Sequence, residues 1–381
     1  MLASKSIAVG VDTMSMNAFV EGQLYPEAYR QSNYSHLPLS PRNDYYWAEQ
    51  LYRIGDITAV VAEYRNIPKY WQDELNQLVS ETYRKKLITV PFLEASLLLL
   101  ESGVMPNFRD LSERSKQFCP AECLELEQQK LIEFVTSRNP YDIVVMVLRS
   151  GRLIATMTLF PFDRKYDIPS LSYLDVGSAI EKLPDVASLE VGRLAKTTCN
   201  GYHLENPENK FIDMASMAAA FIVSERFVSK NAMLGDPEAF ICGDTHGTLI
   251  ASLKRFFPLT VFDSQINPGM LKNDSKVRGM SIHFIQRQVL GSFESADELL
   301  AAIRKVAVTD RELALRIETL LNSGLDRLGV PSLRQFDPKR FRVQFFHFPY
   351  HHPKTAKGLA RMEHMMSWLT HRPGRSERVL N

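Results

Sequence analysis

Four cysteines in 381 residues are too sparse for a disulfide scaffold, which removes the small cross-linked secreted class. Cys119 and Cys123 stand four apart, while Cys199 and Cys242 are isolated, so a zinc site would lack two ligands; reduced thiols used as small core residues are expected, and no metal. An excess of one charge sign is missing too: 45 basic against 44 acidic residues leave a net charge of +1, without the basic field that non-specific duplex binding needs. Nucleic acid is therefore not an expected partner. No window approaches the roughly 18 apolar residues of a spanning helix, and Met1 to Val20 has a broken apolar run unlike a signal peptide. A cytoplasmic location without a membrane span is expected. Internal repeats and low-complexity segments are absent as well.

What remains is an ordinary globular composition, 45% apolar and 23% charged, on a chain long enough for one large domain with additions or for two lobes. Residues 1 to about 45 show no sustained period and read as an irregular arm. From Tyr45 to Val135 the spacing turns helical: Trp47, Leu51 and Ile54 recur at three and four, as do Leu75, Leu78, Val79 and Tyr83, which predicts about four helices. The period then switches. Asp142 to Arg149 and Leu153 to Phe160, rich in β-branched residues and separated by Ser150-Gly151, predict a hairpin. Leu189 to Leu194 reads as a third strand, Phe211 to Asn231 as an amphipathic helix, and Ala239 to Gly243 as a short strand. His246 to Phe256, after Gly243-Asp244-Thr245, reads as a capped helix; Leu259 to Phe262 and Met280 to Leu290 read as strands completing a sheet. Residues 295 to 329 form two charged amphipathic helices joined near Thr309-Asp310, followed by a strand over Phe341 to Phe348 and a helix over Thr355 to Leu369.

Chemistry concentrates in Leu189-Glu190-Val191-Gly192-Arg193-Leu194. Glu190 and Arg193 are three apart, so strict alternation would send them to opposite faces. Gly192 offers a way round this: glycine inside a strand often marks a bulge, and one extra residue brings both charges to one side. There a carboxylate and a guanidinium can hold a polar substrate and relay a proton in an apolar cleft. A structural ion pair at a sheet edge fits the same spacing.

The order hairpin, Glu-x-x-Arg strand, helix, strand, helix, strand is similar to the GNAT-type acyl-homoserine-lactone synthases, which make quorum-sensing autoinducers. The resemblance covers about 140 of the 381 residues. It implies catalytic roles for Glu190 and Arg193 beside the acyl group and the amine, with Gly151-Arg152-Leu153-Ile154-Ala155-Thr156 as the family's hairpin and Asp142 near its acidic residues. Thr158 stands where the compact branch has an arginine, and with Asp142, Gly192 and Phe160 it completes the implied substrate-binding set. The greater length points to the larger LuxM/AinS-type autoinducer synthases or to N-acyl amino acid synthases. The pyrophosphate-cradling glycine loop of acetyl-CoA-dependent relatives is reduced here to one glycine in Lys196 to His203, which favours a donor held by its acyl chain and pantetheine arm, as on acyl carrier protein, over acetyl-CoA.

Pattern and resemblance together predict an α/β protein: an irregular arm and helical N-terminal region over 1–135, a GNAT-like acyltransferase core with a mixed central sheet over 136–291 and a mainly helical C-terminal extension over 292–381. Its activity would be N-acyltransfer from acyl carrier protein or coenzyme A to S-adenosylmethionine, with no resident cofactor. An amino acid acceptor without lactone formation is the alternative, as is a non-catalytic acyl-binding or interaction protein. His347, His351 and His352 read as surface and turn histidines, His283 as a core histidine, and the basic run Arg372 to Arg378 as a solvated tail.

Overall fold

The computed structural model describes residues 47–83, 90–118, 124–197, 212, 215–220, 222–223, 240–246, 250, 253–254, 259–267, 275–327 and 330–349. The arm before residue 47, Cys119, Cys123, Cys199, His351, His352, the expected helix over 355–369, the basic tail and most of the one-glycine loop lie outside these residues.

Ten strands and seven helices order the described chain. The strands are β1 (Glu49–Ile54), β2 (Ile57–Glu63), β3 (Ile143–Arg149), β4 (Arg152–Phe162), β5 (Leu174–Asp175), β6 (Ser188–Lys196), β7 (Phe240–His246), β8 (Thr260–Asp263), β9 (Gln265–Ile266) and β10 (Val343–Pro349). The helices are α1 (Lys69–Thr82), α2 (Val90–Glu101), α3 (Arg109–Phe118), α4 (Leu124–Thr136), α5 (Ser275–Gly291), α6 (Ala296–Thr309) and α7 (Arg311–Arg327). Residues 215–220 and 222–223 are also helical. Eight strands form one sheet in the order β1-β2-β3-β4-β6-β7-β10-β8. Every neighbouring pair is antiparallel except β6 and β7, which are parallel. A mixed sheet of this order, with helices before, between and after its central strands, is a GNAT-like α/β architecture. No helix among the described residues is long and apolar enough to cross a membrane.

Local chemistry accounts for the edges of these elements. Ser150 and Gly151 both take positive φ, 48° and 75°, the two-residue turn whose twist matches a hairpin. The Ser295 side chain caps α6 by accepting from the Glu298 amide at 3.3 Å, and Asp310 does the same for Leu313 in α7 at 2.9 Å. One apolar cluster joins α1, α2 and α4 to α7 to one face of the sheet. A second covers the opposite face with the helix at 215–223, and a smaller third sits under Phe162, Phe240 and Phe345.

Three expectations are corrected. Residues 49–63 are a hairpin and not the start of a helix, because β1 carries a bulge between Gln50 and Tyr52 that buries both Leu51 and Tyr52 and breaks the alternation. Met280 to Leu290 is not a strand but the body of α5, whose buried residues include Met280, His283, Phe284, Ile285, Arg287 and Val289. Burial of that breadth leaves no single apolar stripe to reveal a helix. Asp244, Thr245 and His246 do not cap a helix: they prolong β7, paired with Phe345, Gln344 and Val343 of β10.

Candidate functional site

A bulge in β6 sets the geometry. Thr156 of β4 faces Ala195, and Thr158 faces Gly192, so Met157 stands opposite both Arg193 and Leu194. Before the bulge Leu189 and Val191 pack into the second cluster; after it Leu194 joins that cluster and Ala195 enters the first. The side-chain parity therefore reverses at the extra residue, and Arg193 emerges on the face of Glu190. The left-handed residue at this bulge is Arg193 itself, at φ 52°, and not Gly192. Among the described non-glycine residues only Ser150 shares a positive φ, and Ser150 sits in a turn that requires it. Gly192 has a different use: a Cβ there would lie 3.0 Å from the Phe160 ring.

The same bulge splits the sheet. β6 and β7 pair only at Leu189–Ile241 and Glu190–Cys242, after which β6 follows β4 as far as Lys196 and β7 follows β10 to its end. Gly243 sits at the fork, where a Cβ would come within 2.6 Å of the Val191 carbonyl oxygen. Beyond the fork lies a cavity of about 200 Å³. Its walls belong to both apolar clusters: Met157, Val191, Met217, Leu253 and Phe346 come from one face, Tyr83, Tyr173, Met280 and Phe284 from the other. The cavity thus passes through the sheet between β6 and β7.

Glu190 lies at the fork, 2% exposed, and accepts a hydrogen bond from the Ser170 amide at 2.9 Å. Burial first, and then the nearby Asp244 carboxylate, push its pKa up to about 8, against the opposing pull of Ser170 and Arg193. Asp244 lies two residues beyond Cys242, on the same face, and accepts from the Tyr173 hydroxyl at 2.9 Å. Burial raises the Asp244 pKa, while Tyr173 and the Arg287 guanidinium pull it back. Tyr173 is fixed by stacking on Phe284, with ring centroids 5.5 Å apart.

Arg193 spreads its guanidinium over Phe160 at 5.0 Å and Phe134 at 5.8 Å, and donates to the Ser137 carbonyl. Asp142 stands 3.8 Å from it as counter-ion, itself held by the Asn139 amide at 3.0 Å. Burial raises the Asp142 pKa and lowers that of Arg193. Phe160 pairs with Glu190 across the strands. Thr158, fully buried, accepts from the Arg138 guanidinium, so a neighbouring loop brings an arginine to the position where this chain carries threonine. Nε and Nη2 of Arg138 make no hydrogen bond among the described residues. Burial, then repulsion from Arg193, lowers the Arg138 pKa to about 10.

The structure therefore brings Glu190, Arg193, Gly192 and Phe160 to the cavity wall and sets Asp142 and Thr158 behind them, holding Arg193 and Arg138. Glu190 and Arg193 face an interior hollow and not an outer surface. Sequence reasoning missed Tyr173, Tyr83 and Arg287, which carry no motif; for Asp244-Thr245-His246 it weighed a reactive group at a strand end but favoured a helix cap. A polar Gly-Asp-Thr-His run directly after an apolar strand is the signal that marks Asp244. His347 stacks on Phe262 at 5.4 Å with its pKa lowered by burial, and Cys242 is a buried thiol with its pKa raised. Among the described residues no three His, Cys, Asp or Glu side chains gather as a metal site would require. Comparison of the chain with protein-family models, with curated proteins and with solved structures returned no match. Its GNAT-like character thus rests on the strand order and the split at Glu190.

Proposed function

We propose that the chain is an N-acyltransferase joining an acyl thioester, on acyl carrier protein or coenzyme A, to the amine of S-adenosylmethionine, and that the product closes to an acyl-homoserine lactone as its own carboxylate attacks the carbon bearing the sulfonium, forming the ring C–O bond and breaking the C–S bond to release methylthioadenosine. The observation that carries the transfer is the Glu190 carboxyl, buried at the fork of two splayed strands with its pKa near 8. An α-amine titrates at roughly 7.7 to 8.0, so proton transfer between the two is nearly balanced. Glu190 takes a proton from the amine as its nitrogen attacks the thioester carbonyl. The C–N bond forms, the C–S bond breaks, and the departing thiolate recovers that proton from Glu190. A bulge takes its extra residue out of the ladder, and backbone N–H groups freed near Gly192 are the donors this reading assigns to the developing oxyanion. Arg193, anchored by Asp142, orients the acceptor, and the aromatic rings of Phe134 and Phe160 favour a sulfonium beside them. The acyl chain occupies the apolar side of the split, against Met157, Met217 and Leu253. Choice of S-adenosylmethionine over an amino acid rests on the resemblance of the Glu-x-x-Arg strand.

Mass spectrometry of extracts from expressing cells tests this reading. The wild type is expected to yield an acyl-homoserine lactone, and Glu190→Gln and Arg193→Ala to yield none. An N-acyl amino acid in place of the lactone would move the assignment to that acceptor, and no acylated amine at all would refute the enzyme. With Glu190 as base, kcat/KM should rise with pH through about 8 and then level off.

A further inference from the structure

The cavity is lined by a second, half-buried carboxyl, Asp244, for which the transfer step above has no use. Glu190 and Asp244 lie on adjacent strands and on one face, Glu190 at the last paired position of β6 and β7, Glu190–Cys242, and Asp244 two residues beyond it. Asp244 is not left to adapt to its neighbour: the Tyr173 hydroxyl donates to Oδ1 at 2.9 Å, and the stack of Tyr173 on Phe284 fixes that hydroxyl. We propose that Asp244, clamped by Tyr173, is a positioning residue of this site: its carboxylate is the fixed negative charge against which Glu190 takes up and returns the acceptor's proton. Two carboxyls lining one largely apolar cleft cannot both ionise freely, and their surroundings separate their roles. Asp244 has a hydroxyl donor and the Arg287 guanidinium to offset its burial; at Glu190 burial and the Asp244 charge outweigh the pull of Ser170 and Arg193.

The other groups around the pair do not compete near neutral pH. Burial keeps Cys242 a thiol and Tyr83 and Tyr173 phenols, and burial with Arg287 keeps His283 neutral. Arg193 and Arg287 stay cationic, and Asp142 is turned to Arg193. The inference rests on the role proposed for Glu190, and its test needs no substrate. Isotope-edited infrared titration of labelled glutamate, with Glu190→Gln as the subtraction control, reads the Glu190 carboxyl in the intact chain. Asp244→Asn is expected to lower its midpoint by about one pH unit or more, a tenfold change in proton affinity. Asp244→Glu, which keeps the charge, should restore it. In aspartate-labelled protein, Tyr173→Phe should raise the midpoint of Asp244 itself. An Asp244→Asn chain with native circular dichroism and an unmoved Glu190 midpoint would overturn the proposal. If that variant does not fold, an Asp244 midpoint indifferent to Tyr173→Phe overturns it equally. A wild type that transfers no acyl group would defeat the catalytic role of Glu190 while leaving this titration decisive for the pairing.

Discussion

The sheet has two halves built on different rules. From β1 to β4 the strands run antiparallel, with tight turns inside the β1–β2 and β3–β4 hairpins and α1 to α4 between β2 and β3, and β3 is almost wholly buried aliphatic surface on both faces. From β6 to β8 the sheet forks after two paired positions, holds a residue in a left-handed conformation inside a strand, and buries Glu190 beside the half-buried Asp244. The first half shows what stability asks of a sequence. The second departs from it in backbone, pairing and polarity at one place, and such concentrated departures mark functional sites.

The sharpest way to break this contrast is Glu190→Gln, expected to lower acyl transfer by about 10²- to 10⁴-fold in steady-state assays while the fold persists. Its effect on stability has the opposite sign. Because the folded pKa near 8 lies above the ordinary 4.5, Glu190 costs no stability at low pH and progressively more as pH rises between these two values. The melting temperature of Glu190→Gln should therefore match the wild type near pH 4.5 and exceed it by a growing margin toward pH 8. In the closed half, Leu148→Ala, at a side chain 1% exposed, should cost about 2 to 5 kcal/mol in denaturant melts and leave turnover per folded molecule unchanged. At the fork, Gly243→Ala forces a methyl against the Val191 carbonyl oxygen and should cost about 1 to 3 kcal/mol together with activity. Gly192→Ala meets only the movable Phe160 ring and should cost less, under about 1 kcal/mol.

Legibility does not follow the two halves: local pattern marks β6, β7, β8 and β10 as strands but reads β1 and β2 as helix. β3 and β4 follow from β-branched runs around Ser150-Gly151, and α1, α6 and α7 from their apolar spacing. The failures have specific causes. In β1 the bulge before Tyr52 imitates helical spacing, and α5 is buried too broadly to display a stripe. β7 extends into polar residues because β10, 97 residues further on, supplies the hydrogen bonds, a tertiary partner that local propensity cannot report. At the site, the bulge and the shared face of Glu190 and Arg193 followed from spacing and one glycine. The strained residue did not: Gly192 has the conformational freedom, yet Arg193 takes the left-handed conformation, while Gly192 leaves room for the Phe160 ring.

The position of β10 gives the chain a constraint on its own assembly. It inserts between β7 and β8, yet α5, α6 and α7 precede it in the sequence. On the ribosome both flanking strands emerge early and wait with open hydrogen-bonding edges until the three helices and the final strand arrive. Such long-range closure is slow, and exposed edges invite pairing with other chains. A nascent molecule stalled after α7 would thus hold most of its core but present a gap one strand wide, a ready acceptor for a neighbour's β10.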